Sequence, residues 1–109
     1  MNIKIYLIPY NKDKRDLLFM NYKLTMEHGG VAPDEYECVF DGDVGTQDLE
    51  EIFRIFNSYR SIPYGYDGRS LSVSDVVVTE GGAFFCDSVG FVPLVGMTFT
   101  DTDEPSSIE

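Results

Sequence analysis

Three serines at alternating positions, Ser70, Ser72 and Ser74, run directly into Asp75, and Asp87-Ser88 follows Cys86 a short way downstream. These are residue types from which hydrolytic sites are built. A nucleophilic serine, however, needs a base within hydrogen-bond reach and a third group to orient that base. The one histidine, His28, lies far upstream beside Gly29-Gly30. Ser70, Ser72, Ser74, Asp75, Asp87 and Ser88 are therefore expected to form a structural motif, their oxygens meeting backbone donors where a strand begins or bulges. The rival reading is a small hydrolase using Asp75, Asp87 or a serine of this segment. A hairpin with Gly81-Gly82 as its two turn residues sets Glu80 opposite Ala83, Asp75 opposite Ser88 and Asp87 opposite Val76. The two aspartates then face opposite sides of the sheet, which argues against a carboxylate dyad.

Metal and cofactor chemistry find less support. Asp41, Asp43 and Asp48 lack the spacing of a calcium-binding loop. Cys38, Cys86 and His28 are too few and too scattered for zinc. The glycines form no nucleotide-cradling pattern. Neither catalytic residues, metal nor cofactor are expected, and the two cysteines read as small apolar core residues with free thiols. A different chemistry is suggested by "YRSIPYGYDGR", which gathers Tyr59, Arg60, Tyr64, Tyr66 and Arg69 in one loop. Tyrosine and arginine dominate protein-binding hot spots. With the carboxylates Asp41, Asp43, Asp48, Glu50 and Glu51, these residues are the candidate partner-binding surface.

The elements that must position these groups follow from periodicity. Residues 3–10 form a β-branched first strand, and a short helix is expected around residues 21–28. Residues 36–44 alternate Tyr36, Cys38 and Phe40 on one face of a second strand. Thr46 is the expected N-cap of a helix whose stripe is Leu49, Ile52, Phe53 and Phe56, with Asn57 as its stop and Glu50–Arg54 as an i,i+4 pair. "LSVSDVVVTE" reads as a strand throughout, "AFFCDSVGF" as its return, and "VPLVGMTFT" as a last strand. The fold class is α+β: a small, curved, largely antiparallel sheet of about five strands with one principal helix packed on it. A partly closed, barrel-like sheet is the architectural alternative.

The 109 residues suffice for one domain over 1–100, followed by an acidic tail at 101–109 expected to be flexible. The formal net charge is −11, and it is unevenly spread. Residues 1–33 carry five bases against three acids, and residues 34–109 three bases against sixteen acids. Such a surface repels phosphate backbones, so direct nucleic-acid binding is not expected, whereas a basic protein partner is. No apolar run is long enough to span a membrane, and the N-terminus lacks a signal-peptide pattern, so the expected setting is the cytoplasm.

One stretch is more specific than composition. "DLEEIFRIFN", "GYDGRSLSVSDVVV" and "AFFCDSVGF", with "FMNYK" and "DEYECVFDGDV" upstream, resemble the YodL-like domain family across most of residues 3–95. Arg69 stands where many relatives carry a histidine, and the preceding loop lacks their His-Pro pattern, which argues against a general base there. The resemblance implies a small accessory domain of bacteria, phages and conjugative elements. It brings no catalytic residues and no cofactor. The functional expectation is a non-catalytic protein-interaction module of a mobile element; a sharper version inhibits a nucleic-acid-binding host defence, its carboxylates standing in for phosphates.

Overall fold

A computed structural model describes residues 2–99 except 14 and 67. The expected acidic tail at 101–109 lies outside the described residues. Five strands, β1 (Ile3–Leu7), β2 (Glu37–Gly42), β3 (Val76–Thr79), β4 (Gly82–Cys86) and β5 (Phe91–Pro93), form one antiparallel sheet in the order β2-β1-β3-β4-β5. β2 and β5 are its edges. The sheet is open, so the barrel alternative falls, and the chain is an α+β domain with one main helix, α2 (Leu49–Ile55), and a shorter one, α1 (Tyr22–Glu27).

Both faces of the sheet are covered, because alternation along each strand sends apolar side chains to both sides. On one face Ile3, Ile5, Leu7 and Val77 meet Ile52 and Phe56 of the α2 region, with Leu71. Ile52 and Phe56 have no exposed surface, and each contributes about 1.5–3 kcal/mol of transfer free energy. On the other face Tyr6, Val76 and Phe85 meet Leu17, Val31, Tyr36 and Leu94, supplied by the segments around α1 and after β5. Tyr6 and Tyr36 each pack a ring against Phe99, so residues 94–99 serve as a cover and not as the expected last strand.

Four local expectations need correction. The bulge in β2 sets Phe40 opposite Ile5 but Cys38 opposite Tyr6, leaving Val39 as the extra residue. Cys38 therefore packs with the Tyr36 side while Phe40 turns to the helix side beside Val39. The N-cap of α2 is Asp48, whose carboxylate accepts the Glu50 N–H, while Thr46, two residues before that cap, accepts the Asp48 N–H with its Oγ1. Arg54 pairs with Glu51, at 3.7 Å, and not with Glu50. The hairpin pairs Thr79 with Gly82, so the turn residues are Glu80-Gly81 and Gly82 takes the positive φ of 129°. By contrast α1 begins at Asn21, whose side chain accepts the Leu24 N–H, as a residue poor in helix interiors and good at caps should.

Candidate functional site

The segment of residues 70–75 is not strand. β3 starts only at Val76, because Ser74 sits at φ +86°, outside any strand conformation. The serines consequently do not alternate on a shared face. Ser70 is exposed, its carbonyl accepting from Ser72 Oγ at 3.4 Å. Ser74 is buried, and every polar group it has is engaged. Its N–H donates to Cys86 O (2.9 Å), its carbonyl accepts the Tyr36 hydroxyl (2.7 Å), and its Oγ accepts the Phe19 N–H (3.1 Å). Phe19 is itself held at φ +66°, so two residues in the left-handed region hold each other across 55 positions of sequence. Such conformations persist only where the surroundings over-determine them.

Asp75 lies at the centre of this knot, completely buried. Its backbone pairs with Cys86 of β4, the Cys86 N–H donating to the Asp75 carbonyl at 2.8 Å. Its carboxylate takes both guanidinium nitrogens of Arg69, Nη1 at 2.8 Å and Nη2 at 2.9 Å, plus the Ser72 N–H at 2.7 Å. Arg69 in turn lies over the Phe19 ring, 5.0 Å from its centroid. Burial pushes the Asp75 carboxyl up to about 6, against the opposing pull of Arg69 and the Ser72 N–H. Burial likewise raises the Tyr36 hydroxyl above its ordinary value and pushes the Cys86 thiol up to about 12, Asp75 adding to both. A thiol so raised is a weak nucleophile.

Asp87 belongs to a different construction. Its Oδ1 accepts the N–H groups of Tyr22 (3.0 Å) and Ser88 (2.8 Å), which fixes the first turn of α1 to the β4–β5 turn. Pairing of Asp75 with Cys86 moves the expected register by two residues, which preserves the faces, and Asp75 and Asp87 share no hydrogen-bond partner. Ser88 is exposed. His28 closes α1, its Nδ1 2.8 Å from Leu24 O. Among the described residues no three of His, Cys, Asp and Glu gather as metal ligands. Cys38 is half-buried, Cys86 buried, and both are free.

The tyrosine- and arginine-rich loop divides. Tyr66 turns inward, its ring edge-on to Phe56 and Phe40 and its hydroxyl donating to Arg69 O at 2.8 Å. Arg69 goes to Asp75. Tyr59, 89% exposed, and Tyr64, fully exposed, stand in solvent with Arg60. The carboxylates fall on one continuous stretch from the end of β2 to the first turn of α2. Asp41 is exposed and accepts from Asn2 at 2.7 Å, with Lys4 at 4.0 Å. Asp43 accepts the Gly45 N–H at 2.8 Å, which holds its carboxyl below the ordinary value, beside a shallow depression formed with Thr46 and Gln47. Asp48 and Glu50 are exposed and Glu51 half-exposed. Asn57 does more than end the helix: its amide donates to Phe53 O (2.8 Å) and to Leu71 O (2.9 Å), tying α2 to the loop, a role its helix-ending position alone does not reveal.

These features define a small α+β domain whose buried polar side chains fix loops to an open five-stranded sheet. Residues 2–96 match the model of the YodL-like domain, and the chain belongs to that family. No curated protein and no solved structure matches it. No helix among the described residues is long and apolar enough to cross a membrane.

Proposed function

We propose that the domain is a non-catalytic protein-interaction module, an accessory protein of a mobile element acting in the cytoplasm on a basic host or element protein. The observation that carries this reading is the division of the polar residues. Ser74 and Asp75 are buried and Ser72 and Asp87 half-buried, all four holding loops in place, while Tyr59, Arg60, Tyr64, Asp41, Asp43, Asp48 and Glu50 are exposed and Glu51 half-exposed. Exposed tyrosines supply contact area at low entropic cost, and a row of carboxylates steers a basic partner. The residues do not suit a nucleic-acid ligand, whose phosphates the acidic row repels.

Affinity capture from a lysate of the native host, washed at low and high salt, tests this. A basic partner lost at high salt, and lost when the charges of residues 41–51 are reversed, is the result expected for the acidic row. A partner that resists salt and is lost in Tyr59→Ala/Tyr64→Ala transfers the contact to the loop. Absence of any specific partner at either salt overturns the proposal.

A further inference from the structure

Where β1 leaves the sheet beside the edge strand β2, a shallow groove of about 230 Å³ is lined by Leu7, Ile8, Pro9, Tyr10, Val39 and Glu37, with Arg69 at its back. Leu7 and Ile8 are buried members of opposite cores, so the groove lies where the chain leaving β1 passes from one core to the other. Tyr10, 73% exposed, forms one rim on a single 3-10 turn, Tyr10–Lys12. The extra residue Val39 of the β2 bulge helps form the wall, which places the irregularity of the edge strand at this opening.

The chemistry of the walls selects the occupant. The volume is below the range of about 300–1,000 Å³ usual for small-molecule sites, and suits one large apolar side chain anchored from a partner. Two charges lie on the wall. The Arg69 charge is matched by its two-pronged bond to Asp75, whereas the half-buried Glu37 carboxylate makes no hydrogen bond or ion pair among the described residues. Among the described residues the uncompensated charge on the wall is therefore negative. A second copy of this chain is a poor occupant: edge-to-edge pairing of two antiparallel β2 strands centred on Val39 sets Glu37 against Asp41, between chains each carrying −11.

We propose that this groove is a docking site for a segment of a basic protein in which an apolar side chain enters between Tyr10 and Val39 and a neighbouring lysine or arginine meets Glu37. It rests on the reading of the domain as a binder of a basic protein and adds a contact outside both the acidic row and the tyrosine loop.

The test is an amide-resolved NMR titration of the full chain with a capped pentapeptide of alternating lysine and leucine, at physiological salt. Shifts should concentrate at residues 7–10 and 37–39. Glu37→Gln and Tyr10→Ala, both at positions that leave the cores intact, should each weaken binding about tenfold, and Asp41→Asn less than about twofold. The same peptide with glutamate for lysine should not bind. Equal weakening by Glu37→Gln and Asp41→Asn, or shifts spread over residues 41–51, would mean diffuse charge attraction and overturn the groove while leaving the module reading intact. Concentration-dependent self-association that covers residues 7–10 would overturn it in favour of a second copy.

Discussion

Arg69→Met should destabilise the fold far more at high pH than at low. Methionine keeps a long stem to lie beside Phe19 and removes the guanidinium that makes two of the three hydrogen bonds to the Asp75 carboxylate. In the native protein burial raises that carboxyl to about 6, from 3.8 for an unburied aspartate. The folded chain thus holds the proton about a hundredfold more tightly than the unfolded one, on the order of 3 kcal/mol. Because the folded value is the higher, this stabilisation is complete below about 3.8 and is lost as pH rises through about 6. Removing Arg69 at about pH 8 leaves a buried carboxylate with only the Ser72 N–H, and breaking a buried pair in that way costs about 3–5 kcal/mol. At about pH 5 protonation neutralises the group, and the loss shrinks to that of ordinary hydrogen bonds, about 1–2 kcal/mol. Urea unfolding followed by circular dichroism at both pH values measures the difference. The net charge of −11 also favours folding as acids protonate, so Arg69→Met/Asp75→Asn is the control and should show a much smaller pH dependence. An Arg69→Met penalty of equal size at both pH values would refute the reasoning, since the buried charge would then not be its source.

Two further outcomes are expected. Asn57→Ala removes the two side-chain hydrogen bonds to Phe53 O and Leu71 O that together tie the end of α2 to the loop, and should lower the urea midpoint by the equivalent of about 1–2 kcal/mol with an unchanged slope. Cys86, buried and with its thiol raised to about 12, should stay unmodified by a thiol reagent in the native protein and react once it unfolds, as peptide mass spectrometry can follow. Rapid native labelling of Cys86 would contradict that placement.

What the sequence made legible was mostly local. The stripe at Leu49, Ile52, Phe53 and Phe56 and the β-branched runs of β1 and β3 each decide their element from neighbours within a turn or two. The failures occur where one residue changes a long-range register. The extra Val39 in β2 sends Phe40 to the helix face, although an unbroken alternation puts it with Tyr36 and Cys38. Two glycines in succession hide which of them bends, and the turn fell one residue earlier than the dipeptide suggests. "LSVSD" has strand composition, yet its backbone is fixed by bonds to Phe19, Tyr36 and Arg69 that no period of two can encode.

The same contrast governs the candidate surface. Tyr64 and Tyr66 stand two residues apart with the same side chain, one in solvent and the other against Phe56 and Phe40, because the rings that receive Tyr66 come from α2 and β2. Arg69 likewise is one of only three bases after residue 33, and its charge is taken up by a buried aspartate. Arg54 is paired with Glu51. Of the bases in the acidic part of the chain, Arg60 alone is left exposed without an ion pair among the described residues. The carboxylates from Asp41 to Glu51 lie at or near the surface, with Lys4 and Arg54 giving partial local compensation, and this is the charge distribution on which the proposal of a basic partner rests.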